Sequence, residues 1–404
     1  MKKFYVVLAV LLVAVACCSV FANEVSFAEQ TDDYKTGQAY LFMAELCKFA
    51  SRSGTQNEIA VAEWLKGKFD GVLGEGASKV VNVNAAELST ANVVAKIDNP
   101  STDKQIIVGA HFDAVASGQG ASDNASGVCA MYLVMQSLAG KSLPFDVVFV
   151  AFGGEENGFV GSQNYVDAMA ASEKSNTMVM FNIDSIANGD ELYLMCENKP
   201  TALADFVLKQ ADDACKITEK PYRKGFVYGM DSYGYGYYET IQGSDHTPFR
   251  LAGVPVAFFF SGYYGGLAYK ENADANKSVM NTSADTLARL ESNWGGQFVS
   301  KVESVAQTIV NSVTSNDFVS VAENARDDIE NLRLVYGKYP KIAVAALAVI
   351  AVVLGVLYYN KLKKRSIFGA AEIKTARVFS QPDAEDIFSF DNNGKDDADD
   401  VFKF

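Results

Sequence analysis

Histidine and basic side chains are scarce in this chain. Only two of its 404 residues are histidines, and 35 basic residues stand against 49 acidic ones, which gives a formal net charge of −14. Because nucleic-acid binding depends on lysine and arginine contacts to phosphates, this composition argues against a nucleic-acid partner. The position of each histidine is informative, since any site that needs an imidazole has only two residues to supply it.

Long apolar runs are also few, and the first lies at the N-terminus. Lys2 and Lys3 precede the apolar residues 4–16, and Val20-Phe21-Ala22 follows them. This order is typical of a secretory signal peptide that is cleaved after Ala22. Lipoprotein processing at Cys17 is the alternative.

The second apolar run, residues 342–359, carries no charge and has nearly the ~20 residues that cross a bilayer. Basic residues follow at once between positions 361 and 365, so the positive-inside rule predicts that this end is cytoplasmic. A buried core helix is the alternative. The acidic tail beyond it is predicted to be disordered, and binding of a cytoplasmic partner is one interpretation of it.

These segments predict a single-pass membrane protein whose large domain lies outside the cytoplasm, on the periplasmic or extracellular side. In chain order we expect a signal peptide at 1–22, a folded domain at 23–315, a stalk at 316–340, a transmembrane helix at 341–360 and an acidic cytoplasmic tail at 361–404. Four cysteines remain in the exported part, where disulfides are permitted. Cys196 and Cys215 could pair, but spacing does not determine the pairing.

Helical and strand-like patterns alternate through the large domain. Apolar residues recur at helical spacing in 57–73 and again in 298–313. Short apolar runs of strand length lie between them, at Ile106–Ala110, Val147–Phe152, Met178–Ile183 and Val254–Phe260. This order predicts an α/β fold with a mixed, largely parallel central sheet and helices on both faces, as in a three-layer sandwich.

Three of the predicted strands end on residue types that bind metals. His111 and Asp113 follow the first, Glu155 and Glu156 follow the second, and Asp184 follows the third. Ligands of open α/β sheets bind beyond the carboxyl ends of the strands, so these side chains can converge. An imidazole with several carboxylates suits zinc, with cobalt or manganese as alternatives.

The motifs around these residues resemble the M28 family of co-catalytic zinc exopeptidases, which includes secreted bacterial aminopeptidases. The resemblance covers about residues 38–313. It rests on Gly109-Ala110-His111-Phe112-Asp113, Gly120 to Gly127, Phe152-Gly153-Gly154-Glu155-Glu156, Asn182-Ile183-Asp184 and Ser244-Asp245-His246-Thr247-Pro248-Phe249.

The resemblance implies a set of metal ligands. His111 and Asp184 would bind one zinc, Glu156 would bind the other, and Asp123 would bridge the two. The fold it implies is that of the zinc exopeptidases, which agrees with the alternation of strands and helices.

The resemblance also implies roles for residues that do not bind metal. Glu155 would be the general base that activates a water molecule for attack on the peptide bond. Asp113 would orient the His111 ring, as carboxylates beside ligating histidines commonly do. The peptide bond from Asp123 to Asn124 would be cis.

One position departs from the family pattern. The last ligand of the family is a histidine in a His-Thr-x-x-Asp-Thr segment, and here that segment begins with Asn281. Three outcomes follow for this position. The Asn281 amide oxygen could bind zinc weakly, His246 could take its place, or the second zinc could be absent. The chain would hold two zinc ions in the first two cases and one in the third.

Three functions therefore stay open. The first is an aminopeptidase that removes N-terminal residues from peptides through a metal-activated water and Glu155. The second is a non-catalytic or one-metal ectodomain that binds peptides or protein partners. The third, a glutaminyl-cyclase-like acyltransferase, ranks lower because that branch keeps the histidine that Asn281 replaces.

Overall fold

The computed structural model describes residues 32–49, 52–85, 87–115, 117–189, 191–196, 202–218, 223–226, 243–262 and 279–327, with a few positions between 353 and 361. The chain divides into two compact units, residues 1–333 and 334–404. All the elements below belong to the first unit.

Eight strands form one mixed sheet in the order β1-β2-β4-β3-β5-β8-β6-β7. The four central strands, β4, β3, β5 and β8, are parallel to one another, and β2 and β6 flank them in antiparallel orientation. The strands are β1 (Ser78–Asn82), β2 (Ala91–Ile97), β3 (Gln105–His111), β4 (Asp146–Phe152), β5 (Thr177–Ile183), β6 (Glu191–Cys196), β7 (Arg223–Phe226) and β8 (Val256–Gly262). The prediction of a mixed, largely parallel sheet is confirmed.

Helices cover both faces of the sheet, as the sequence predicts. They are α1 (Gln38–Leu46), α2 (Gln56–Leu73), α3 (Gly127–Leu138), α4 (Val160–Ala168), α5 (Ala171–Asn176), α6 (Ala202–Thr218), α7 (His246–Leu251), α8 (Leu287–Trp294) and α9 (Gln297–Thr314). In α9 the apolar stripe expected from the spacing, which runs from Phe298 to Val313, is buried. Such a stripe places one side of a helix against a core and leaves the other side polar.

The central strands are buried on both sides, which explains their continuous apolar sequences. In β3, Ile106 and Val108 join the core beneath α2, α3 and α9, whereas Ile107 joins a second core beneath α4 and α7. The first core is the larger of the two. Because the four central strands are also parallel, their carboxyl ends meet at one edge of the sheet.

The predicted stalk begins within the folded domain. Residues 318–327 are helical, and Phe318 is fully buried, with its ring 5.4 Å from that of Phe145 and 6.2 Å from that of Phe181. Arg326 donates hydrogen bonds to the carbonyl oxygens of Lys174 and Thr177. The domain therefore extends beyond residue 315, because this segment buries apolar and polar contacts against it instead of standing in solvent.

The predicted signal peptide lies outside the described residues, as does nearly all of the predicted membrane span and the acidic tail. Within the described part of the chain, no helix combines the length and the apolar character that crossing a membrane requires. The side chains of Cys196 and Cys215 are likewise outside the description. Cys47 and Cys129 are buried free thiols.

A close contact between glycines joins α4 to the turn that follows β4. A Cβ atom added to Gly161 would lie within 3.0 Å of the Gly153 carbonyl oxygen and of Asn92 Oδ1. The Asn92 side chain also bonds both segments, because it donates to the Gly161 carbonyl oxygen and accepts from the Gly153 N–H. This contact sets the position of the turn that carries Glu155 and Glu156.

We expect Gly161→Ala to lower the free energy of unfolding by about 1–3 kcal/mol, since the added methyl group meets backbone that cannot move aside. The matched control is Gly67→Ala in α2, where the added Cβ meets nothing within 4 Å. That change should stabilise the protein by up to about 1 kcal/mol, because alanine favours a helix over glycine. Urea denaturation followed by circular dichroism measures both, and equal effects at the two sites would contradict the packing argument.

Candidate metal centre

Three neighbouring parallel strands deliver the acidic and imidazole side chains to one edge of the sheet. His111 is the last residue of β3, Glu155 and Glu156 follow β4 after two glycines, and Asp184 follows β5 directly. Because β4, β3 and β5 are adjacent and parallel, their carboxyl ends meet at the same place. This edge is where open α/β sheets bind their ligands.

The side chains of His111, Asp123 and Asp184 form a tight cluster there. His111 Nε2 lies 3.2 Å from Asp123 Oδ1 and 3.3 Å from Asp184 Oδ1. One ligand atom of each residue lies within 4.8 Å of the others, so the three could hold a metal ion. Glu155 Oε2 is next in distance, 4.0 Å from His111 Nε2.

A short turn, residues 121–126, carries Asp123 into the cluster, and its backbone is held by Asp285. The Asp285 carboxylate accepts hydrogen bonds from the N–H groups of Ser122, at 2.7 Å, and Asp123, at 2.9 Å. The peptide bond from Asp123 to Asn124 is cis, as the family resemblance implied. Asp285 belongs to the same segment as Asn281, but the sequence alone did not indicate this role for it.

Asp113 holds both His111 and the acidic turn after β4. Its two carboxylate oxygens accept from the N–H groups of Glu155, at 3.0 Å, and Glu156, at 3.1 Å. His111 Nδ1 faces the Asp113 carbonyl oxygen at 3.2 Å and its carboxylate at 3.4 Å. Because Nδ1 faces acceptors, we assign the ring hydrogen to it, which leaves Nε2 facing Asp123 and Asp184.

Arg52 supports the same loops from beneath and was not found by sequence reasoning. Its buried guanidinium donates to the carbonyl oxygens of Phe112, at 2.9 Å, Gln119, at 2.5 Å, and Gly120, at 3.2 Å. These carbonyls belong to the segments on either side of His111 and Asp123. An isolated arginine in a loop gives no local signal of such contacts, which span 60 to 68 residues.

Glu58 is a second residue that the sequence did not single out. Its buried carboxylate accepts from the Gly54 N–H and from the Thr90 hydroxyl. A Cβ on Gly153 would meet Thr90 and Glu58, so this group packs directly against the turn after β4. In the sequence Glu58 reads as an acidic residue in the first turn of a helix, a position that usually faces solvent.

His246 lies behind the cluster and does not join it. Ser244 Oγ donates to Asp184 Oδ2 at 2.8 Å and accepts from Asn182 Nδ2 at 2.8 Å. The same Asn182 nitrogen lies 3.3 Å from His246 Nδ1, and the His246 ring stacks on Phe258 with centroids 4.4 Å apart. The structure therefore places His246 against the core strand β8 and not beside Asn281.

Asn281 faces Glu156. In the amide orientation that forms hydrogen bonds, its nitrogen donates to both carboxylate oxygens of Glu156, each at 3.1 Å. Asn281 is exposed and its φ of 56° lies in the left-handed region, which asparagine tolerates better than most residues. Asn281, the position at which the family resemblance implies a histidine, thus contacts Glu156.

Burial and mutual repulsion disturb the ionisation of these groups. Burial lowers the pKa of His111, but the charges of Glu155 and Asp184 outweigh it, so that this pKa is well above its usual value. Burial raises the pKa of Asp184, yet His111 and Ser244 hold it below its usual value. Burial in the centre and the Asp184 charge raise the pKa of Asp123.

Burial also disturbs the ionisation of the two glutamates. Burial raises the pKa of Glu155 well above its usual value, with the charges of Asp184 and Asp245 adding to it and His111 opposing it. Burial and the Asp123 charge raise the pKa of Glu156 to about 8. Burial of like charges without compensation is unfavourable, and a cation would relieve it.

The donor set fits a divalent transition metal. One imidazole nitrogen and two carboxylate oxygens lie within 4.8 Å of one another, and zinc is commonly bound by such ligands. His111, Asp123 and Asp184 would hold this ion. Glu156 lies close enough for the Asp123 charge to raise its pKa, and Asn281 faces Glu156.

Comparison with known proteins agrees with this arrangement. Residues 92–298 match the sequence model of peptidase family M28. Similar curated proteins include leupeptin-inactivating enzyme 1 of Streptomyces exfoliatus, with 29% identity over 206 residues, which are 50% of this chain and 42% of that one. Aminopeptidase YwaD of Bacillus subtilis shows 32% identity over 184 residues, 43% of this chain and 36% of that one. The match thus covers less than half the length of either relative.

The crystal structure of the LapA aminopeptidase of Legionella pneumophila has the same fold, with a TM-score of 0.53 over 71% of this chain and 73% of that one. At 18% identity this likeness concerns the fold alone. The family model covers about half of the chain and includes every residue of the centre from His111 to Asn281. This chain therefore belongs to peptidase family M28.

Proposed function

We propose that this protein is a metal-dependent aminopeptidase that hydrolyses the N-terminal peptide bond of peptides. The observation that carries the proposal is the cluster of His111, Asp123 and Asp184 with the Glu155 carboxylate 4.0 Å from the imidazole. Family membership supports hydrolysis of peptides, and the names of the relatives favour the aminopeptidase reaction.

The chain's own residues would hold and orient the reactants. A divalent cation, when bound, would polarise the scissile carbonyl and lower the pKa of a water molecule. His111, Asp123 and Asp184 would hold that cation, with Asp113 and Ser244 fixing the orientation of the first and last of these ligands. Supporting contacts of this kind usually affect metal affinity strongly.

Glu155 is the residue placed to move protons. Its backbone N–H is fixed by Asp113, its side chain is buried beside the cluster, and it is not among the three residues that could hold the ion. Burial raises the pKa of Glu155, which makes the carboxylate a stronger base. It would take a proton from the attacking water and deliver it to the nitrogen of the leaving group.

A serine or cysteine mechanism is poorly supported by the same structure. A triad needs a histidine beside its nucleophile. His111 is committed to the acidic cluster, and the hydroxyl of Ser244, which shares the Asn182 amide with His246, already donates to Asp184. Burial and Arg250 lower the pKa of His246 to about 3, so it is a weak base.

A second function is favoured by one observation, the contact between Asn281 and Glu156. In the hydrogen-bonding orientation, the Asn281 amide occupies the Glu156 carboxylate, which the second metal ion would need as a ligand. A one-metal or non-catalytic ectodomain that binds peptides would have no need of that ion. The placement of Glu155 favours the enzyme, because a binding protein has no use for a free carboxylate beside its metal ligands. The acyltransferase alternative gains no specific support.

The cellular location of the protein is proposed from its sequence patterns. Export through the signal peptide at 1–22, anchoring by a single span at 341–360 and a cytoplasmic acidic tail at 361–404 rest on sequence patterns. The peptide substrate would then be met on the periplasmic or extracellular side.

We expect Glu155→Gln to lower kcat for leucine amide by about 10²–10⁴-fold, because a positioned acid–base group contributes that much. Bound metal, measured by elemental analysis after dialysis, should stay unchanged, since Glu155 is not one of the proposed ligands. Glu63→Gln, at an exposed position of α2, is the matched control and should retain full activity. Full activity in the Glu155 variant would remove this residue from the mechanism.

We also expect the protein treated with a chelator to lose stability as the pH rises from about 5 to about 8. Burial raises the pKa of Asp285 to about 7 and that of Glu156 to about 8, above the values of the unfolded chain. A carboxyl with a raised folded-state pKa contributes its stability fully at low pH and loses it as the pH passes through that pKa. Thermal melting at several pH values tests this.

Added zinc should suppress that loss, because the cation compensates the ionised carboxylates. The control is the same series of melts with zinc in place of the chelator. A melting temperature of the cation-free protein that is constant or rises over this pH range would contradict the electrostatic description of the centre.

A further inference from the structure

We propose that the centre has two cation positions with different donor atoms. The first is a zinc position at His111, Asp123 and Asp184, and the second is an all-oxygen position at Asp123, Glu156 and Asn281. The second position would take a hard divalent cation such as Mn²⁺ or Mg²⁺, weakly and in exchange with solution. This inference rests on the cation centre of the proposed function and adds the identity of the second ion.

The fold fixes the position of the Asn281 side chain. Its segment is anchored at both ends, because the Thr282 hydroxyl donates to the Val279 carbonyl oxygen at 2.7 Å and Asp285 accepts two N–H groups of the Asp123 turn. Thr282 and Asp285 also pack on Gly118, where an added Cβ would clash with the Thr282 carbonyl oxygen. The Asn281 amide is therefore held against Glu156 by the same residues that position the bridging Asp123.

Donor chemistry separates the two positions. The first position includes the nitrogen of His111, and imidazole suits zinc. The second offers only oxygens: the carboxylates of Asp123 and Glu156 and the neutral amide oxygen of Asn281. Carboxylate and carbonyl oxygens are the ligands that suit magnesium, calcium and manganese. Replacing an imidazole by an amide thus removes the donor that favours zinc.

The contact with Glu156 also lowers the affinity of the second position for a cation. In the amide orientation that forms hydrogen bonds, the Asn281 nitrogen donates to both oxygens of an ionised Glu156, each at 3.1 Å. To offer its oxygen to a cation the amide must turn over, and both hydrogen bonds are lost. Asn281 is exposed, so an ion at this position would meet solvent directly and exchange with it.

Loss of a residue that merely supports a ligand lowers metal affinity by about 10–100-fold. We expect the loss of a ligand to cost at least as much, so zinc should bind the second position at least about 10–100-fold more weakly than it does in Asn281→His. Asn281→Asp is the conservative companion, because it keeps oxygen donors and adds a charge. It should tighten Mn²⁺ binding without restoring the preference for zinc.

The test measures metal binding by the full-length chain and uses no substrate. The protein is stripped with a chelator, reloaded with excess zinc and dialysed, and the retained zinc is measured by elemental analysis. MnCl₂ is then titrated in, and its binding is followed by the electron paramagnetic resonance signal of free Mn²⁺. We expect wild type to retain about one zinc and to bind about one Mn²⁺ per chain, and Asn281→His to retain about two zincs and to exclude Mn²⁺.

Two control variants test whether the change in metal binding arises at the second position. Asn57→His adds an imidazole at an exposed position of α2 and should behave as wild type, and Glu156→Gln should lose Mn²⁺ while keeping the first zinc. Thermal melts establish that each variant is folded. Retention of two zincs by wild type, or Mn²⁺ binding that is indifferent to both Glu156 and Asn281, would overturn the inference.

These outcomes are separate from the fate of the proposed function. Two tightly held zincs in an active aminopeptidase would refute the unequal centre and leave the function standing. Unequal metal binding in a protein that hydrolyses no peptide would support the inference and refute the function.

Discussion

Buried negative charge at one edge of the sheet is the constraint on which the rest of this structure depends. Asp113, Asp123, Glu155 and Asp245 are all buried beside a single imidazole. Repulsion and burial push the pKa of Glu155, of Asp123 and of Asp245 upward, the last to about 7. Ionised groups are expensive to bury unless a counter-charge is present. A bound cation would supply that charge and relieve the repulsion at this edge.

The scaffold resists this repulsion through backbone contacts. Asp285 and Asp113 each accept two adjacent N–H groups, which ties their carboxylates to the turns that carry Asp123 and Glu155. Arg52 gathers three carbonyl oxygens of the neighbouring loops and places a positive charge below the cluster. Ligands held in this way need little rearrangement when an ion or a substrate arrives, which is what a catalytic centre requires.

The side chain of Asn281 is where the proposed functions differ. Asn281 stands where the family has an imidazole, and its amide is bonded to Glu156. The proposed peptidase, the one-metal ectodomain and the unequal pair of ions each assign this amide a different role. Glu155 is independent of this choice, because its position comes from Asp113 and from the glycine turn after β4.

The sequence by itself determined the fold class, which follows from local pattern, and its resemblance to family M28 supplied the candidate ligands. Apolar strand runs that end on His111, Glu155 and Asp184 can meet only at the carboxyl edge of a parallel sheet. The tertiary structure alone decided which distant groups support them. Arg52 reaches carbonyls 60 or more residues away, His246 turns to stack on Phe258, and Phe318 packs into the core where a stalk was expected. Contacts between side chains far apart in the chain depend on packing geometry, and no periodicity or spacing in the sequence encodes that geometry.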